Sequence, residues 1–169
     1  MKQILVIVMI LNIVLFKGCS RIGNDESQLV YRSTAPQIMF DKIISALDSK
    51  DNEELKSLFS QNALEKTSNI DEQLISLMDL YQGNFVSNSH FDTGTSTGHQ
   101  QDGIWVYMTI RPDIKELVTD KAIYSLRFTS VPANDEFPND VGLWYIVLGL
   151  KDEGKVAREC TVGSVYPNM

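Results

Sequence analysis

Ile70-Asp71-Glu72-Gln73-Leu74-Ile75-Ser76-Leu77-Met78-Asp79-Leu80-Tyr81-Gln82-Gly83-Asn84-Phe85 is where the chain changes its hydrophobic period. Leu74, Leu77, Met78 and Tyr81 recur at steps of three and four, which stacks them on one face of a helix. Gly83 is a natural stop, because glycine readily takes the left-handed conformation that ends helices. From Asn84 onward the period falls to two, that of a half-buried strand. Helices first, then antiparallel strands, is the pattern of an α+β domain with N-terminal helices packed on one face of a curved antiparallel sheet.

Reading backward, Asp51-Asn52-Glu53-Glu54 is an Asp cap with Glu three residues on. Leu55, Leu58 and Phe59 form the buried face of the short helix behind it. Thr34-Ala35-Pro36-Gln37 has the capping-box form, and Pro36 suits a first helical turn. Met39, Phe40, Ile43, Ile44, Ala46 and Leu47 then give a helical apolar face that ends near Ser49-Lys50. Reading forward, Phe85 to Phe91 is a weak strand, and Trp105 to Ile110 and Ile123 to Thr129 alternate clearly. Leu143 to Leu150 is nearly all apolar, as expected of a central strand covered on both faces. Asp92 to Gly103 and Pro132 to Asp140 read as turn-rich loops, and Arg111 to Asp120 as room for one helical turn.

Phe40-Asp41-Lys42-Ile43-Ile44-Ser45-Ala46-Leu47-Asp48-Ser49-Lys50-Asp51, followed by Leu55-Lys56-Ser57-Leu58-Phe59-Ser60, resembles the opening of nuclear transport factor 2-like (cystatin-like) domains. Tyr81-Gln82-Gly83 and Val141-Gly142-Leu143-Trp144-Tyr145-Ile146 extend the likeness, which covers roughly Pro36 to Leu150. The resemblance implies a cone of helices on a curved sheet. It implies no particular activity, because that fold hosts isomerases, dehydratases, ligand-binding modules, immunity proteins and plain interaction domains.

The amino-terminal residues speak to location. Lys2, the apolar run Ile4 to Phe16 and Lys17-Gly18-Cys19 have the parts of a secretory signal. Gln3 to Phe16 is 14 residues, short of the ~20 needed to span a bilayer. Phe16-Lys17-Gly18-Cys19 resembles the lipobox of bacterial lipoproteins in Gly18 and Cys19 and departs from it in Phe16 and Lys17. The resemblance implies a signal peptide over 1–18 and lipid attachment at Cys19; an ordinary signal peptide, an uncleaved anchor or a cytosolic protein with an apolar start are the alternatives. Residues 19–33 are polar and read as a flexible tether, and 34–169 as one domain. With the lipoprotein start, the whole resembles a family of small Gram-positive lipoproteins of unknown function. The expected location is the extracytoplasmic face of the cell membrane.

Composition narrows the partners. The chain carries a net charge of −7, and removing Lys2 and Lys17 with the first 18 residues leaves 13 basic against 22 acidic residues, a balance of −9. Such a body lacks the Lys/Arg clusters that nucleic-acid and anionic-lipid binding require, so no nucleic-acid partner is expected. The membrane partner acts through the lipid, and the remaining candidates are a protein or a small apolar ligand. Cys160 has no second thiol once Cys19 is acylated, and no C-x-x-C pair occurs.

Catalytic signals are thin. Asp92-Thr93-Gly94 echoes an aspartic-protease loop, but that chemistry needs two aspartates sharing a proton. His90, Asp92 and His99 permit metal ligation without requiring it. Asp113, Glu116 and Asp120, and Asp135, Glu136 and Asp140, lack EF-hand spacing. No catalytic residue, metal or cofactor is assigned. Trp105, Tyr107, Tyr124, Arg127 and Trp144 fall on neighbouring strands and are the candidate lining of an apolar pocket. The expected function is a tethered, non-enzymatic ligand- or protein-binding module, with a cone-fold lyase or isomerase, or an immunity protein, as the alternatives. Mass spectrometry of the mature protein should find its amino terminus at an acylated Cys19; an unmodified terminus elsewhere, or retained Met1, refutes the lipid anchor.

Overall fold

The computed structural model describes residues 23–89, 97–102 and 104–165, with side chains from Thr34 onward and not at 104–105. Among the described residues four helices come first: α1 (Gly23–Ser49), α2 (Asn52–Ser57), α3 (Gln61–Lys66) and α4 (Ile70–Leu80). The strands follow: β1 (Phe85–Asn88), β2 (Thr97–Gln101), β3 (Ile104–Ile110), β4 (Asp113–Thr119), β5 (Ile123–Asn134), β6 (Gly142–Asp152) and β7 (Lys155–Gly163), with a 3-10 turn at Pro138–Asp140 before β6. The protein is α+β, as the period change at Gly83 predicts.

All seven strands form one antiparallel sheet with β5 at its centre. One edge of β5 pairs first with β4 (Ile114 opposite Leu126) and further along with β3 (Met108 opposite Ala133). β3 and β4 therefore act as one long strand broken at Arg111-Pro112, where Phe128 N–H still donates to Pro112 O. β1 and β2 lie outside β4 and β3. β6 occupies the other edge of β5, and β7 lies beyond it. Register shifts interrupt the pairing of β3 and β4 with β5, of β5 with β6 and of β6 with β7. Bulges of this kind bend a strand and increase its twist, so the sheet curves, open and cone-like, around the helices. Phe40, Ile43 and Leu47 of α1, Leu55 of α2, and Leu74 and Leu77 of α4 share one buried cluster with Leu126, Phe128, Ile146 and Leu148 of the sheet.

Several local readings change. α1 begins at Gly23, so residues 23–33 of the expected tether are helical and Thr34 lies inside a helix rather than capping one. That segment is largely polar, and its consecutive Leu29-Val30-Tyr31 give no helical period to betray it, but it continues a helix already packed from Ala35 onward. Arg111 to Asp120 holds β4 rather than a helical turn. Ile114 and Leu117 are buried while Lys115 and Glu116 are exposed, because a bulge places two residues outward in succession. That bulge imitates a helical i, i+3 pair. β2 forms within the expected loop Asp92 to Gly103, and β5 continues through Pro132, which lies where β5 slips register against β3 and needs no N–H.

The helical layer is fastened to the sheet where α1 and α4 end. Lys50 takes a left-handed backbone (φ 55°). Lys50 N–H donates to Leu47 O and Asp51 N–H to Ala46 O, the paired bonds of a Schellman ending. Its ammonium reaches across to Met78 O and Tyr81 O, the orphan carbonyls at the end of α4. Asp48 accepts from Tyr81 Oη at 2.7 Å and from Phe85 N–H at 3.0 Å. Burial and the Asp48 bond push the Tyr81 phenol well above its ordinary range, and burial lowers Lys50 against the pull of Asp79 and Asp48. Replacing Lys50 by Ala should cost about 1–3 kcal/mol in urea unfolding, because charged hydrogen bonds are lost and the strained backbone stays. Lys50→Gly should lose less, since glycine accepts that conformation, yet still lose stability with the ammonium; equal losses would assign the left-handed backbone no cost, and an unchanged Lys50→Gly would assign the ammonium no role.

Candidate functional site

A cleft of about 300 Å³ opens between α1, the end of α2 and the β5–β6 rim. Ala35, Ile38, Met39 and Lys42 line one wall, spaced so that they share one helical face. Ser57, Leu58 and Phe59 line its base, and Ser130, Val131 and Pro132 of β5 with Val141 and Gly142 form the facing wall.

The base is held by backbone bonding. Phe59 makes an isolated bridge to Leu143, with Leu143 N–H donating to Leu58 O at 2.7 Å and Ser60 N–H to Leu143 O at 2.9 Å. Ser60 Oγ then accepts from Ala63 N–H at 3.0 Å and starts α3. Gly142 makes this approach possible. Its φ is 131°, and a Cβ there would lie 2.8 Å from Ser60 N and 2.9 Å from Leu58 O. Beside it, Trp144 Nε1–H donates to Asp140 O at 2.9 Å, and the Asp140 carboxylate accepts from Asn62 Nδ2 at 2.7 Å. These bonds tie the loop before β6 to α3 and fix the facing wall.

Inside this frame the cleft is apolar with two polar features. Ser130 is 1% exposed and its Oγ has no hydrogen-bond partner. Among the described residues Lys42 is the one ionisable residue of the lining; it is exposed, and Ile38 and Ala46 occupy its i±4 positions, so no carboxylate lies there to pair with it. Ile38 and Val141 remain 47% and 41% exposed at the same cleft. A broader cleft of about 500 Å³ at the end of α4 is lined by Lys50, Asp79, Tyr81 and Lys121 among others. Its Lys50 is already committed to the α4 carbonyls.

The residues singled out from the sequence are dispersed. Tyr124 is fully buried and structural: its hydroxyl donates to Leu80 O at 3.1 Å and accepts from Gln82 N–H at 2.8 Å. Trp144 is fully buried, with Lys66 Nζ 5.1 Å from its ring centre. Tyr107 is half-buried and its hydroxyl accepts from Thr109 Oγ1 at 2.5 Å. Arg127 is exposed and pairs with Glu159 of β7 at 3.4 Å. Trp105 lies in β3, with its side chain outside the described residues, as Cys19, His90 and the Asp92-Thr93-Gly94 motif lie outside them altogether. None of Tyr107, Tyr124, Arg127 and Trp144 lines either cleft. His99 is exposed on β2, and no group of three metal-ligating side chains occurs among the described residues. The acidic residues serve structure: Asp113 pairs with Lys115, and Asp120 accepts from Asn84 N–H at 2.8 Å. The cleft residues left fainter traces. Ile38 and Lys42 widen the α1 stripe, and Ser130 to Pro132 resemble the start of a loop.

Gly142→Ala tests the frame. Strain and the clash with Ser60 N and Leu58 O should cost about 2–4 kcal/mol in urea unfolding. Gly154→Ala, where a Cβ meets nothing within 4 Å, should cost about 1 kcal/mol from its positive φ alone. Equal losses would mean that contact with the α2–α3 link does not depend on glycine.

Residues 42–152 match the family model of a domain of unknown function, DUF5104. No curated protein matches the chain. The matched span includes Lys42, the α2 end and the whole β5–β6 wall of the cleft. It takes in well over half of the 169 residues, and the chain belongs to the DUF5104 family.

Proposed function

We propose that the mature chain is a lipoprotein of nuclear transport factor 2-like fold, tethered through Cys19 to the extracytoplasmic face of the membrane, and that its domain is a non-enzymatic binding module. The observation that carries the binding reading is the cleft between α1 and the β5–β6 rim: about 300 Å³, at the small end of ligand sites, with mainly apolar walls. A lyase or isomerase of this fold would need a positioned acid or base. Among the described residues the cleft lining offers no carboxylate or histidine, and its cation is an exposed lysine. Binding asks less: apolar walls, a few polar groups and a fixed frame.

The tether reading is supported by the signal-like residues before Cys19. A chain anchored at Cys19 would enter a helix four residues later and run along it to the cleft wall at Ala35 to Lys42.

Recovery from the native cell envelope tests the module. The tagged full chain should carry a bound small molecule or protein, identified by mass spectrometry, and Met39→Trp, which fills the cleft, should lose most of it. A wild-type protein that brings nothing, or a variant that retains the same cargo, would refute binding at this site.

A further inference from the structure

The two polar features of the cleft specify more than a greasy hole. A buried hydroxyl without a partner is costly, and most such groups in folded proteins are satisfied. Ser130 Oγ has no protein partner and its residue lines the cleft, but the hydroxyl itself is sealed from solvent, so the choice of occupant falls to the charge beside it. Lys42 brings an unpaired positive charge to the same lining, in a chain with 22 acidic residues against 15 basic. An occupant therefore gains from an apolar body and an anionic group that accepts from Lys42. A carboxylate is an acceptor with several lone-pair sites and fits that demand. At about 30 Å³ per water, a 300 Å³ cleft has room for about ten small heavy atoms.

We infer that the cleft between α1 and the β5–β6 rim binds a short alkyl carboxylate, of the size of an eight-carbon fatty acid, with its head on Lys42 and its chain against Met39, Phe59, Val131 and Val141. This rests on the binding-module reading. It adds the sign of the ligand's charge and the length of its chain.

Octanoate, octanol and octylammonium, identical in chain and different in head, are the probes. The full chain is held in lipid nanodiscs, and the methyl resonance of Met39, assigned with Met39→Leu, reports occupancy of the cleft apart from partition into lipid. Octanoate should bind about tenfold more tightly than octanol, and more tightly still than octylammonium. Lys42→Glu, at an exposed position with no structural partner, should keep the melting temperature and reverse the order of octanoate and octylammonium. If all three probes shift Met39 equally and Lys42→Glu changes nothing, the anionic class is wrong and the binding module stands. If none shifts Met39, and neutral Nile red does not either, both readings fall. A concentration-dependent dimer that Val141→Asp dissolves would give the cleft to a second copy of the chain and overturn the ligand.

Discussion

Lys50 holds the architecture together because it ends two helices at once. Its backbone closes α1 in a Schellman turn, and its ammonium takes the last carbonyls of α4. A glycine at that position would relieve the strain of φ 55° but leave the α4 carbonyls bare. The neighbouring groups complete the joint. Asp48 bonds both the Tyr81 hydroxyl and the first amide of β1, and the Tyr124 hydroxyl spans from Leu80 O to Gln82 N–H. α1, α4, β1 and β5 thus meet through side chains that satisfy backbone groups a helix end would otherwise orphan. The chain passes from helix to sheet at this joint, and it fixes where the sheet begins relative to α1.

The sheet then has to follow the helices. β5 borders β4, β3 and β6, and slips in register run through these pairings. A flat sheet would leave half of α1 uncovered; a bulged one curls and keeps Phe40 and Leu47 in the same cluster as Phe128 and Ile146. Farther along α1, Ala35 packs on Met108 and Ile110 in a separate small cluster. The cleft includes Ala35 in its α1 wall, on the side toward the β5–β6 rim. It is a product of curvature, and the Phe59–Leu143 bridge stops the rim from collapsing onto the helix.

The sequence announces those parts that bury one face. The α1 stripe, the Asp51 cap, the α4 stripe and the alternation of β3 and β5 are plain in it, and the capping bond from Glu54 N–H to Asp51 Oδ1 forms at 2.8 Å. It is silent where burial is weak or period is broken. β2 is exposed along its whole length, and most of β7 is exposed, so neither shows a period of two. α3 is six residues long, too short for a stripe, and β4 hides behind a bulge. The aromatic residues drew attention as a pocket because large side chains on adjacent strands suit one. Tyr124 and Trp144 instead fill the core and bond backbone carbonyls. The cleft itself joins large apolar residues, which read as core, to the small Ala35, Ser57, Ser130 and Gly142, and small residues carry little signal.

That smallness is the strongest argument that the cleft is kept open for use. Ala35, Ser57, Ser130 and Gly142 all face it. Interiors pack densely, and filling such a space with one leucine-sized side chain would contribute about 1.5–3 kcal/mol. Gly142 is fixed by the bridge to Leu58 and Ser60 and cannot be enlarged, but no such bond constrains the Ser130 side chain. An apolar residue at 130 would remove an unsatisfied hydroxyl and fill space together. Thr129, next to it, also has an unpartnered hydroxyl but does not line the cleft, so buried hydroxyls alone do not mark the site. What distinguishes Ser130 is its place on an apolar wall of a cleft that also holds an unpaired lysine. Local rules of packing and polar satisfaction are broken there together, and such joint violations concentrate where a structure serves binding rather than its own stability.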